Sequence, residues 1–293
     1  RLFLKIKRFS GKEMKKLSSI DAIVALVIIV FLMFSLLTMN IGYLALEHTE
    51  IVGSYPISKH FVSLISNWEI STIILFHKVS WWTHIMLVLI FLNELPYSKH
   101  FHVVMSIPNV YFSNIENLGK MENMPSVTKE VKLMMDPNAD PYATPAADAP
   151  PPESFGAKDV TDLNWVQLMN AYSCTECGRC TSECPANQTG KLLSPRKIMM
   201  DTRQRLKEVG KNIDKHGKDY TDNKSLLNDY ISTEELWACT TCNACTQACP
   251  LNIDPLSIIV DLRRYLVMEQ SAAPTELNMM FTNVENNGAP WQF

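Results

Sequence analysis

Two cysteine runs constrain this chain more than any other feature: Cys174-Thr-Glu-Cys177-Gly-Arg-Cys180-Thr-Ser-Glu-Cys184-Pro185 and Cys239-Thr-Thr-Cys242-Asn-Ala-Cys245-Thr-Gln-Ala-Cys249-Pro250. Both read C-x2-C-x2-C-x3-C-P, and together they use all eight cysteines. This spacing suits [4Fe–4S] clusters, in which soft thiolates bind iron. Three cysteines in a tight loop reach three irons of one cube, and the fourth sits too far along to close the same cube and ligates the other. The expected ligand sets are therefore Cys174, Cys177, Cys180 and Cys249 for one cluster, and Cys239, Cys242, Cys245 and Cys184 for the second. A zinc ribbon needs only two C-x2-C pairs. A disulfide framework needs an oxidising compartment, which the topology below argues against.

Ahead of the cysteines the chain reads as a membrane anchor. Residues 1–19 form a basic lead, with Arg1, Lys5, Lys7, Arg8, Lys12, Lys15 and Lys16 against Glu13. Ile20 to Leu46 is then almost uninterruptedly apolar, with Asp21 its only charge, and Ser18 or Ser19 can cap its start. Its 27 residues make about 40 Å of helix, enough to cross a hydrocarbon core with tilt. The run is too long for a signal peptide. A second apolar run covers Ile70 to Leu95, extendable to residue 104, with Trp68, Trp81, Trp82 and Tyr97 as interface anchors. The positive-inside rule puts the basic lead in the cytoplasm. Two crossings return the chain there, where thiols stay reduced. A net charge of -3 gives no reason to expect nucleic acid. The chain begins at Arg1 rather than Met, as a piece of a longer polypeptide would.

The expected organisation is all-α: a membrane domain over 20–104, a proline-rich linker over 105–157 and a helical two-cluster domain over 158–293. The linker is clearest where Pro137, Pro141, Pro145, Pro150, Pro151 and Pro152 sit among Ala and Asp. Helices are expected over Thr161–Tyr172, from Ser194-Pro195 to Gly210, after the Ser232-x-x-Glu235 capping box, from Asp254-Pro255 to about Gln270, and from Pro274 to near Gly288. Residues 211–231 read as loop-rich. The Ser194–Gly210 helix and the Asn278–Phe293 segment offer themselves for docking a partner.

Histidine inside a membrane span is a functional candidate. His84 and His102 lie 18 residues apart, five whole turns, so on one continuous helix both face the same way about 27 Å apart. His77 lies close to that face and His100 nearly opposite. These four are the haem b candidates, His84 and His102 first. The Ile20–Leu46 span holds no histidine, so a facing ligand must come from elsewhere. His100 and His102 also suit headgroup positions. Pro96 can end the helix between His84 and His102.

Residues 158–293 resemble the bis-[4Fe–4S] domain of heterodisulfide reductase C-type subunits, anaerobic glycerol-3-phosphate dehydrogenase C subunits and succinate dehydrogenase-type iron–sulfur subunits. The resemblance is carried by Cys174–Pro185 with Asn187-Gln188, Leu236-Trp237-Ala238, Cys239–Pro250 and Ile253-Asp254-Pro255. Trp81-Trp82-Thr83-His84 and Ser98-Lys99-His100-Phe101-His102 are similar to the nitrate reductase gamma-type haem b domain. The order of the two domains resembles membrane electron-transfer-flavoprotein:quinone oxidoreductases of the Bacteroidota type. That family implies about five spans where this chain shows two. It also implies C-x(n)-CCG modules, which are missing here and expected on a separate chain. The resemblance implies a subunit passing electrons between a cytoplasmic partner, either a CCG-type subunit or an electron-transfer flavoprotein, and the quinone pool. Thr175, Arg179, Thr181 and Asn243 are the loop residues placed to tune cluster potentials. Two alternatives stand beside this: a self-contained disulfide or hydroxy-acid oxidoreductase, which the lack of a G-x-G-x-x-G fingerprint disfavours, and an iron–sulfur scaffold that anchors partner subunits.

Overall fold

The apolar run that follows the basic lead forms helix α1, Ile20–Ala45, and the second forms α2, Ile70–Glu94. The computed structural model describes residues 20–46, 54–136, 154–218 and 220–292. The basic lead, its Ser18 or Ser19 cap and the proline run from Pro137 to Pro152 lie outside the described residues. The chain divides into two units, residues 1–101 and 102–293.

In the first unit α1 packs against α2, and both are long and apolar enough to cross a membrane. Gly42 lets the helices approach closely: a Cβ there would stand 3.0 Å from the His77 Cβ. Ile41, Ile65 and Ile73 make a small core with Leu37 and Phe76. Most other apolar side chains point outward, including Phe31 (56% exposed), Phe34 (62%) and Leu75 (62%). Eight large apolar residues of α1 and ten of α2 are exposed in this way. At about 1 kcal/mol for each half-exposed chain, their hydration would cost roughly 20 kcal/mol, more than the 5–15 kcal/mol net stability of a domain. This unit needs an apolar surround, and the helix pair is a membrane-associating element.

Helix α2 stops at Glu94, and Leu95–Tyr97 and Lys99–Phe101 tighten into 3-10 turns. Pro96 brings no N–H to the helical ladder. A new helix, α3, covers His102–Tyr111 and belongs to the second unit. The extension of the second span to residue 104 is thus corrected. His84 and His102 therefore belong to different helices.

The second unit also corrects the start of the linker. Residues 105–135 carry the rest of α3 and α4, Pro125–Met135. Helix α3 packs on α5, Trp165–Ser173. Ser173 Oγ donates to Met105 O at 3.2 Å, and the buried Asn109 donates to Leu251 O at 2.8 Å. Pro108 sits inside α3, where a proline ordinarily ends a helix.

The core gathers around α8, Pro195–His216, once α6, Arg179–Ser182, and α7, Pro185–Gln188, have passed. Ile198, Met199 and Thr202 of α8 are fully buried, so one face of this helix is central to the core. It runs through Gly210 and ends at Gly217, whose φ of +91° only glycine adopts without strain. The supposed loop 211–231 holds Leu226, Leu227 and Ile231, all fully buried. Arg205, 3% exposed, ties this stretch down: it is paired with Asp159 and Asp222, each at 2.6 Å, and donates to Lys224 O. Helix α9, Thr233–Trp237, has the expected Ser232/Glu235 box, followed by α10, Ala244–Gln247. Helix α11, Pro255–Arg264, is capped by Asp254 and runs into a π turn, Tyr265–Glu269. Helix α12, Thr275–Asn287, ends on Gly288 at φ +67°. Among the described residues there is no β-strand, so the unit is all-helical, as its periodicity predicts.

Candidate metal centre

Each cysteine run is delivered by a helix end and bent by left-handed residues at matching places. Helix α5 ends at Ser173 and hands over to Cys174; Glu176 (φ +58°) and Gly178 (φ +84°) turn the chain, and α6 carries Cys180. In the second run α9 leads to Cys239, Thr241 (φ +55°) and Asn243 (φ +58°) make the same turns, and α10 carries Cys245. Holding Glu176 and Thr241 in this region costs energy that the surrounding fold must supply. Both loops are tied to the helix that follows. Thr181 Oγ1 lies 2.9 Å from Ser194 Oγ, and Thr246 Oγ1 donates to Asp254 Oδ1 at 3.1 Å.

Cys174, Cys177, Cys180 and Cys249 line one cavity of about 310 Å³, walled also by Met199, Leu251 and Ile253. Three of these thiols come from the first run and one from the second. Of the remaining four, Cys184 and Cys242 lie near enough to Cys239 to add to the burial that raises its thiol, and Cys239 adds likewise to the burial that raises Cys245. Cys174 and Cys184 are buried, and Cys177 and Cys242 are exposed. Burial pushes the Cys174 thiol up to about 11 and the Cys245 thiol up to about 12, and raises Cys180 and Cys239 as well. Such thiols stay protonated near neutrality, so their thiolates need a strongly electropositive partner. Iron of a cluster is such a partner, and a largely apolar cavity with four sulfur donors suits one. The thiols surround a space and do not converge on a point: among the described residues no three His, Cys, Asp or Glu side chains are placed around a single metal ion.

Several residues that brace the loops escaped the sequence reading. Arg203 of α8 donates to Cys174 O at 3.0 Å and pairs with Glu176. Arg263 of α11 donates to Cys239 O at 2.6 Å and to Leu236 O, with its guanidinium 4.9 Å over the Trp237 ring. The signal was present: Ser194-Pro195 precedes Arg203 by the same interval as Asp254-Pro255 precedes Arg263. Of the proposed tuning residues, Thr181 bridges to Ser194 and also accepts from Arg196 N at 3.3 Å, and Asn243 makes the second loop's turn. Thr175 and Arg179 are exposed.

The four histidines divide between the units. His77 Nδ1 donates to Met39 O at 3.1 Å. Ser35 Oγ spends its proton on Leu32 O, so His84 Nδ1, 3.0 Å away, donates to Ser35. In both rings Nδ1 is the nitrogen held by the protein, so a metal would be met by Nε2. His100 lies in the 3-10 turn Lys99–Phe101, its ring edge-on to Phe91 at 6.3 Å. His102, at the start of α3, lines the cavity of the first thiol set.

Residues 173–253 match the family model of the 4Fe-4S dicluster domain. The chain is similar to a probable iron-sulfur-binding oxidoreductase, FadF, of Bacillus subtilis: 32% identical over 269 residues, covering 81% of this chain and 35% of the relative. It is 29% identical to an EtfAB:quinone oxidoreductase of Syntrophomonas wolfei, covering 80% of this chain and 32% of that protein. A probable membrane-anchored ferredoxin of Chromohalobacter salexigens is 35% identical over 144 residues, 44% of this chain and 20% of the relative. The chain thus spans about a third or less of the length of these relatives. No solved structure matches it. The chain carries a 4Fe-4S dicluster domain behind a membrane-associating helix pair, and its relatives are iron–sulfur electron-transfer oxidoreductases.

Proposed function

We propose that this chain is a membrane-anchored electron-transfer subunit that links a cytoplasmic redox partner to the quinone pool. The observation that carries the reading is the cavity ringed by Cys174, Cys177, Cys180 and Cys249. A pattern of three ligands from one run and one from the other belongs to a two-cluster domain. Cys239, Cys242, Cys245 and Cys184 hold the second cluster. Clusters so bound take up and release one electron at a time.

The chain's own residues hold the conduit in place. Eight thiolates fix both centres, Arg203 and Arg263 brace the carbonyls of Cys174 and Cys239, and Met199, Leu251 and Ile253 give the first cavity an apolar wall. His84 and His77 are the residues that would hold haem b, each with Nδ1 occupied and Nε2 available; His102 and His100 follow them. The cytoplasmic side is the place for reduced thiols, and an electron-transfer flavoprotein or a CCG-type subunit is the proposed partner. The Syntrophomonas wolfei relative, an EtfAB:quinone oxidoreductase by name, supports the flavoprotein and quinone assignments.

The test is the optical and EPR spectrum of the protein purified from membranes. The reading requires about eight irons per chain, cluster signals that respond to a quinol, and a reduced haem b band that Ala at position 84 removes. Zinc in place of iron, or clusters silent to quinol and partner alike, would overturn it.

A further inference from the structure

The two cysteine loops are near-copies, and their differences lie in charge. Ser194, Pro195, Arg196 and Arg203 of the first half correspond to Asp254, Pro255, Leu256 and Arg263 of the second. The matched contacts bear this out: Thr181 with Ser194 against Thr246 with Asp254, and Arg203 on Cys174 O against Arg263 on Cys239 O. At the first loop Glu176 neutralises Arg203. Arg196 is then left over. It lines the cavity with the four thiols, its Nη1 3.4 Å from where a Cβ on Gly178 would stand. Its Nε is buried without a hydrogen bond, and among the described residues it has no carboxylate partner. At the second loop Leu256 replaces it, and one carboxylate, Asp254 beside Thr246, stands against one cation, Arg263 on Cys239 O. Among these matched groups the first site has one positive charge over and the second has none. Arg179 also lines the first cavity but is exposed, so solvent screens it.

We infer that Arg196 makes the first centre the more oxidising of the two, so that electrons entering the pair settle there. The inference rests on the two-cluster reading. A fixed cation beside a centre stabilises its reduced, more negative state, and does so more strongly beside an apolar wall than in open solvent. Arg196 touches no reacting atom; it is a tuning residue, and its effect appears in potentials.

The experiment is a potentiometric EPR titration of the membrane-purified, iron-loaded chain. In R196L the more oxidising centre should lose at least about tenfold in its reduced-to-oxidised ratio at a fixed applied potential, equivalent to ~59 mV for one electron. The other centre should stay in place. R196K keeps the charge and should restore most of the shift. L256R should raise the other centre and leave the first unmoved. Unchanged potentials in R196L with full iron content, or movement of the lower-potential centre, would refute the inference and leave the two-cluster reading standing. A wild-type chain without iron would instead refute that reading itself.

Discussion

The two units solve opposite solvent problems. In the helix pair, apolar side chains such as Phe31, Phe34 and Leu75 face outward, while the polar Ser35 and Ser80 are buried between the helices. In the cluster unit Ile198, Leu236, Ile258 and Leu262 are buried to the last few per cent, and its polar groups face out or form closed networks such as Arg205 with Asp159 and Asp222. One chain thus uses lipid as the sink for apolar surface in one part and its own core in the other. The difference teaches where polar groups matter: sparse hydrogen bonds in the pair, a connected ionic lattice in the cluster unit.

The largest effect that would sharpen this contrast is at Arg205. Replacing it by Ala leaves Asp159 and Asp222 unpaired and should cost about 3–5 kcal/mol, read as an earlier urea midpoint for loss of the cluster absorbance. The same network sets a pH response. Arg205 holds the Asp222 carboxyl down to about 2, below its ordinary value near 3.8. This stabilisation is therefore fully present above about pH 4 and is lost as pH falls through about 2. Asp222→Asn should flatten the acid limb of the stability profile.

Phe31→Arg comes next. A charge in the middle of a lipid-facing helix costs about 2.5–3.5 kcal/mol and should lower the membrane-bound fraction. Met279→Arg, at a 64% exposed position of α12, should move stability by no more than about 0.5 kcal/mol. Equal effects from the two would break the comparison. Gly42→Leu should force α1 from α2 at His77, at about 1–3 kcal/mol, seen as weaker protection of Nδ1-bonded His77 or as proteolysis between the helices. Ser35→Ala removes one hydrogen bond to His84, about 1 kcal/mol, and should give a small loss of helix-pair stability in a detergent melt.

Much of this was legible in the residues. Both apolar spans, the Ser232, Asp254 and Ser194 caps and the two cysteine turns follow from local rules, because each depends on neighbours in sequence. What failed depends on partners far along the chain. Helix α3 stands because Asn109 and Met105 meet residues 142 and 68 positions away. Leu226, Leu227 and Ile231 lie in a polar-looking stretch that Arg205 anchors from another helix. The five-turn register between His84 and His102 assumed a continuous helix, and the helix ends before Pro96. In the site the thiols were readable one by one, whereas Arg203 and Arg263 are readable only as a matched pair at equal distance from their caps, and Arg196 only from the cavity it lines.

The central claim is that each centre draws its fourth sulfur from the opposite run. It is tested most directly by EPR of four single Cys→Ser variants. Cys174→Ser and Cys249→Ser should lose or alter the same signal, and Cys239→Ser and Cys184→Ser the other. Pairing of Cys249 with Cys239, or of Cys184 with Cys174, would contradict the account.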